Sequence, residues 1–185
     1  VNMWSYWNCK FDGQGNGGGK NYIESLDSGL GRYDQPKCAR IDQLLEWAES
    51  RNMVMKLCFW PHLAFSSHVW QTDWENNPYK DIPGITCKTV FGNATAWDYQ
   101  TKQYRYAIAR WGYSRSLFGW DMVNEINGTD AWFDGYVNEC NAWAQKCADF
   151  FNENDPYNRP TTGSQSGGYS LYWSAGYAVF DMPAR

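Results

Sequence analysis

Gly119-Trp120-Asp121-Met122-Val123-Asn124-Glu125-Ile126-Asn127 is the stretch on which the reading of this chain turns. An apolar run closes in Asn-Glu and is followed by a turn. The pattern predicts a buried strand over Leu117 to Val123, with a carboxylate and its amide neighbour at the mouth of that strand. A Glu so placed can hold a proton for a leaving group.

Other strands and helices follow by working outward. Met53 to Trp60 is an apolar run broken only by Lys56, as expected of a parallel strand covered on both faces, and Pro61-His62 ends it. Val1 to Trp7 and Arg159 to Ser164 also read as strands, and Tyr177 to Met182 begins a fifth. Gln35 to Asn52 carries Ile41, Leu44, Leu45 and Ala48 at helical spacing, with Pro36 near its start. Trp97 to Tyr113 is helical, with Tyr104, Ile108 and Trp111 on one stripe. Asp130 to Asn154 reads as one long helix with Trp132, Tyr136, Cys140, Trp143, Cys147 and Phe150 along one side, stopped at Asp155-Pro156. Leu63 to Ala96 is long and irregular, and such a loop in a compact domain is usually functional.

Strands alternating with helices predict an α/β class with a parallel sheet. Two architectures share that pattern: a doubly wound open sheet and a segment of an eight-stranded barrel. No G-x-G-x-x-G follows the first strand at the right place, which counts against a dinucleotide fold. His62, Asn124, Glu125 and Ser164 all fall at C-terminal strand ends. In a (β/α)8 barrel that rim is where the chemistry sits. The glycine-rich run Asp12 to Lys20 lacks the spacing of a phosphate loop and reads as a flexible connection.

Composition narrows the function classes. The 185 residues suffice for one domain with its own core, and residues 1–185 are taken as a single unit. Sixteen basic residues stand against 20 acidic ones with no basic stripe, so nucleic acid and anionic membrane are poor partners. No apolar run approaches the ~18 residues that would span a bilayer. Aromatic residues make up 18% of the chain, with 12 Trp and 13 Tyr. Such rings serve either a core of large side chains or a surface on which sugars stack. Six cysteines permit three disulfides in 15 pairings, although Cys58 sits inside an apolar run and reads as a buried thiol. Asn93-Ala94-Thr95 and Asn127-Gly128-Thr129 are glycosylation sequons, and with the cysteine count they favour an extracellular protein. His62 and His68 have no partners at metal-ligand spacing, so neither a metal nor a cofactor is expected. Asp73, Glu75 and Asp81 could bind calcium but read better as a solvated acidic loop.

An ordered series of motifs runs through nearly the whole chain. It comprises Leu30-Gly31-Arg32-Tyr33-Asp34, Ile41-Asp42 with Ala48-Glu49, Met55-Lys56-Leu57-Cys58 to His62, and Trp74-Glu75-Asn76-Asn77-Pro78-Tyr79. Arg105 to Ser114, Gly119 to Glu125, Asp155-Pro156-Tyr157 and Arg159 to Ser164 complete it. In these residues the chain resembles the glycoside hydrolases of clan A, near the family-five-like group of cellulase and mannanase relatives. The resemblance implies a partial (β/α)8 TIM barrel holding strands two to six, with strands one, seven and eight outside the chain. It implies Glu125 as the acid/base, Asn124 as the partner of a sugar 2-hydroxyl, and His62 as a lining residue. Trp60 and Trp120 read either as apolar walls of the site that would raise the Glu125 pKa or as core. The implied substrate is a β-1,4-linked polysaccharide or oligosaccharide, glucan or mannan. Such a family also needs an Arg, a His-x-Tyr and a nucleophilic Glu that this chain does not show.

A retaining glycosidase needs two carboxyl groups about 5–5.5 Å apart. Asp121 lies one strand pitch below the rim and Asp181 falls on the last strand, and neither is read as the nucleophile. The 185-residue chain alone is therefore expected to be inactive, with the rest of the barrel supplied by a longer chain or by assembly. The competing reading is a non-catalytic, glycosylated structural or carbohydrate-binding protein on a hydrolase scaffold. Its main support is the Asn127 sequon, where a glycan would crowd the cleft.

Overall fold

The strands lie side by side in the order in which they occur in the sequence, which separates the two architectures. A computed structural model describes residues 2–3, 22–167 and 173–184. Its sheet runs β1 (Asn2–Met3), β2 (Met55–Pro61), β3 (Leu117–Asn124), β4 (Thr161–Ser164) and β5 (Met182–Ala184), and every neighbouring pair is parallel. A doubly wound sheet reverses its order at a switch point, whereas a barrel adds each strand beside the last. The helices α1 (Gln35–Ser50), α2 (Ala94–Trp111), α3 (Asp130–Phe133) with α4 (Val137–Asn154), and α5 (Ser174–Val179) fall between successive strands. The chain is a partial (β/α)8 barrel. The glycine-rich run 12–20, Cys9 and most of the strand expected from Val1 to Trp7 lie outside the described residues.

Local chemistry explains the helix ends. Asp34 accepts from the Lys37 amide at 3.0 Å and Pro36 occupies the first turn of α1, where its missing N–H costs nothing. Cys38, Ile41, Leu45 and Ala48 form the buried stripe of α1. Asn93 caps α2 by accepting from the Ala96 amide at 3.0 Å, so that helix begins three residues before the expected Trp97. Arg110 grips Asp42 with two bonds of 3.0 and 2.7 Å, and the Trp111 indole adds a third at 2.7 Å, which ties α2 to α1.

Two expected elements differ from what forms. The helix expected over Asp130 to Asn154 is two helices, because Gly135 turns the chain with a φ of 93°, a conformation a side chain rarely adopts. The strand expected from Tyr177 is helical up to Val179, and only Met182 enters the sheet. Tyr177 and Phe180 donate backwards to Trp173 and Gly176 carbonyls at 3.0 Å each, which satisfies this segment locally. Gly176 permits the turn, since a Cβ there would lie 2.3 Å from the Trp173 ring.

The sheet divides the interior into two faces. On the helix side Phe59 and Trp120 stack at 5.7 Å between centroids, and both meet Phe151 of α4. On the opposite face the Lys56 ammonium meets Asp121 at 2.8 Å, both largely buried. Burial outweighs that cation and pushes the Asp121 carboxyl up to about 6. The five described cysteines, Cys38, Cys58, Cys87, Cys140 and Cys147, are buried free thiols. The disulfides that six cysteines permit are thus not formed among the described residues. No described helix is long and apolar enough to cross a membrane.

Trp120 also anchors the chain after α4. Its indole donates to Asp155 Oδ2 at 2.8 Å, and Asp155 accepts from the Tyr157 and Arg159 amides at 3.0 and 3.2 Å. Trp120→Phe keeps most of the ring packing but leaves a buried carboxylate oxygen short of a donor. It is expected to cost about 1–3 kcal/mol, read as a lower urea midpoint with an unchanged slope.

Candidate active site

The register of two strands builds the centre of the site. Pro61 pairs with Asn124 across β2 and β3, so the next residues, His62 and Glu125, emerge side by side. The Glu125 backbone is left-handed (φ 62°, ψ 58°), a strained conformation for a non-glycine residue. Its amide donates to Ser164 Oγ at 2.9 Å, and its carbonyl accepts from Gly128 at 2.8 Å. These contacts hold the turn that aims the carboxyl away from the strand.

Glu125 Oε2 lies 3.0 Å from His62 Nδ1, with side-chain exposures of 32% and 8%. The approach is close but out of line with the ring N–H, and neither imidazole nitrogen has a well-formed hydrogen bond among the described residues. Burial raises the Glu125 pKa and lowers that of His62. Burial thus disfavours the charged form of each group. Ser164 Oγ reaches Asn124 Oδ1 at 3.3 Å, and the buried Asn124 Nδ2 has no hydrogen-bond partner among the described residues. The arrangement sets one acid and one amide side by side at the C-terminal rim of the sheet.

Not every residue expected at the site is there. Trp120 is fully buried on the helix side of β3 and belongs to the core. Trp60 is 1% exposed, with its ring 4.9 Å from Phe65 and 5.5 Å from Tyr79, beneath the loop that follows β2. Asn93 is partly exposed at the helix cap already described. Asn127 is 7% exposed, and both ends of its amide are engaged by Ser166, donating to the carbonyl at 2.8 Å and accepting from the amide at 2.9 Å. It pins the loop after β4 to the loop after β3.

The remaining acids have structural surroundings. Asp181 accepts from the Thr161 amide and hydroxyl at 2.8 and 2.9 Å and ties β5 to β4. Asp73 is buried and accepts from Tyr22 and Asn76 at 3.0 and 2.7 Å, so it is not part of a solvated loop. Glu75 pairs with Lys80 at 3.3 Å. Among the described residues no three His, Cys, Asp or Glu side chains are grouped to hold a metal.

Trp70 is the site residue that sequence reasoning missed. Its backbone is left-handed (φ 49°) and its ring is 58% exposed. The ring meets His62 edge-on at 5.5 Å between centroids. Gly128 allows this packing, since a Cβ there would lie 2.7 Å from the His62 ring and 2.8 Å from that of Trp70. The only signal for it was its place in the long loop after His62.

No protein family and no curated protein matches the sequence. Similarity appears among solved structures. The chain is similar to a β-1,4-D-mannanase from Cryptopygus antarcticus, at 10% identity and a TM-score of 0.55 over 83% of this chain and 47% of that one. It is similar to a β-1,4-mannanase from the sea hare Aplysia kurodai, at 16% identity and a TM-score of 0.56 over 85% and 53%. It is also similar to an exo-β-1,4-mannosidase from Opitutaceae bacterium strain TAV5, at 14% identity and a TM-score of 0.57 over 79% and 26%. The chain spans about half the length of the two mannanases and a quarter of the mannosidase. Sequential parallel strands and these likenesses agree on one conclusion: the chain has, in part, the (β/α)8 fold shared by these solved structures.

Proposed function

We propose that this chain carries the acid/base half of a retaining glycoside hydrolase acting on β-1,4-linked mannan or glucan. The observation that carries the reading is the Glu125–His62 pair: a partly exposed carboxyl at a barrel rim, its pKa raised by burial, beside an imidazole whose charge is also disfavoured. In this role Glu125 protonates the glycosidic oxygen as the bond breaks and then draws a proton from the attacking water. Asn124, next to Glu125 at the rim, serves as the hydrogen-bond partner of a sugar hydroxyl, and Trp70 offers a flat face near it. The covalent partner is a carboxylate about 5–5.5 Å from Glu125. Among the described residues the other carboxyl of the inner face, Asp121, is buried against Lys56, which supports a nucleophile from outside this chain. The two mannanases and the mannosidase favour mannan over glucan. The sequon at Asn93, on a partly exposed residue, supports an extracellular setting for such a substrate.

The non-catalytic reading rested on a glycan at Asn127. That support weakens because the Asn127 amide is buried and bound at both ends by Ser166.

Stereochemistry tests the proposal. The full-length protein should release products from β-1,4-manno-oligosaccharides with the β-anomer formed first, followed by proton NMR before mutarotation. The 185-residue chain alone should release none. Initial formation of the α-anomer would refute the retaining assignment.

A further inference from the structure

The turn over residues 66–70 is held by one carboxylate from a distant part of the chain. Asp130 is fully buried at the start of α3. It accepts from Ser66 Oγ at 3.1 Å, from the Ser67 amide at 3.0 Å to each oxygen, from Ser67 Oγ at 2.5 Å and from the His68 amide at 3.4 Å. Cys87 Sγ donates to it at 2.9 Å, and His68 Nδ1 lies 3.1 Å away. Burial alone would raise the Asp130 pKa, but the bonds from Cys87, Ser67 and Ser66 outweigh it and hold the value at about 2. A second tie comes from Asp134, whose carboxylate approaches His68 Nε2 at 3.4 Å and Lys88 at 2.9 Å.

The turn ends on Trp70. A left-handed backbone at a tryptophan is strained and persists only where its surroundings impose it. Here the surroundings are the Asp130 bonds, the Ser66–Val69 exchange (2.7 and 3.0 Å) and the His62 ring. The imposed conformation leaves the Trp70 ring largely in solvent at the edge of the His62–Glu125 pair. A large flat ring exposed at such a place is suited to stack on the apolar face of a sugar.

We propose that Asp130 is a positioning residue: it latches the turn over residues 66–70 and thereby presents Trp70 as a stacking face for a sugar unit at the mouth of the cleft. The identity of the ligand as a sugar rests on the glycosidase reading; the latch does not. Residues from two connections, one after β2 and one after β3, are thus coupled through a single buried carboxylate.

Two measurements on the full-length protein test this. Amide hydrogen exchange should speed up at least tenfold over residues 67–70 in Asp130→Asn, while the amides of β2 and β3 keep their protection. With β-1,4-manno-oligosaccharides, Asp130→Asn and Trp70→Ala should each raise KM roughly tenfold, the size of one aromatic stacking contact, with a much smaller change in kcat. The double variant should be no worse than Trp70→Ala alone, because both changes remove one contact. Unchanged exchange over residues 67–70 would overturn the latch. Normal KM in Trp70→Ala, or additive effects in the double variant, would overturn the stacking role. A wild-type protein that neither binds nor hydrolyses the oligosaccharides would instead defeat the glycosidase reading, and the exchange result would still decide the latch.

Discussion

Glu125→Gln in the full-length protein is expected to lower kcat on manno-oligosaccharides by about 10²–10⁴-fold, the usual contribution of a positioned acid/base. Glutamine has nearly the same shape and can keep the contact with His62, so binding should survive. What it lacks is a transferable proton. Substrates whose leaving group departs without protonation should lose far less in the first step and stall at the second, where water needs a base. The pH profile gives an independent check. The acid step needs the protonated form of Glu125, and burial raises its pKa. The alkaline limb of kcat/KM should therefore lie above the ordinary Glu range, and it should vanish in the variant. Equal losses on activated and unactivated substrates would mean that Glu125 does not deliver the proton.

The second large effect lies away from the site. Glu24 is completely buried in the segment before α1. One oxygen accepts from the Gly31 amide at 2.5 Å, and the other has no hydrogen-bond partner among the described residues. Burial pushes its pKa up to about 8 from an ordinary 4.5, against the smaller pulls of the Gly31 amide and of Lys102. The folded protein therefore keeps a proton that the unfolded chain has lost between these two values. The stability that Glu24 contributes is fully present below about pH 4.5 and falls as the pH rises through about 8. Over that window the loss is on the order of 5 kcal/mol, from about 1.4 kcal/mol per pH unit. Glu24→Gln removes the titration. Urea melts at pH 5 and pH 9 should show a large drop for the wild type and a much smaller one for the variant. Parallel pH dependence in the two proteins would mean that Glu24 titrates normally.

Glu24 was not legible as a special residue, whereas Glu125 was, and the difference is instructive. Glu125 closes an apolar run, and that position in a parallel α/β chain already marks a strand-end rim. Glu24 sits in a polar loop of Ser, Asp and Gly, and nothing local says that the loop is covered. The same contrast runs through the fold. The β2 and β3 runs and helices α1 and α2 were readable because apolar spacing and capping residues agreed. The break at Gly135 was not, because the apolar stripe continues on both sides of it. Trp120 was placed in the cleft although it lies an odd number of residues from Glu125, a spacing that assigns alternate strand residues to opposite faces. A strand buried on both faces lacks the polar alternation that would have made the parity plain.

Local chemistry along the chain was enough to determine the parallel α/β class, the alternation of its main strands and helices and the acid at the end of β3, since each depends on neighbours a few residues apart. Only the tertiary structure decided that His62 stands beside Glu125, that Trp120 faces the helices, that the described cysteines stay unpaired, and that Asp130 and Trp70 meet around one turn. These facts depend on the register between strands and on contacts between residues as much as 64 positions apart in the chain. Such contacts are settled by how whole elements pack, and no window of sequence contains both partners.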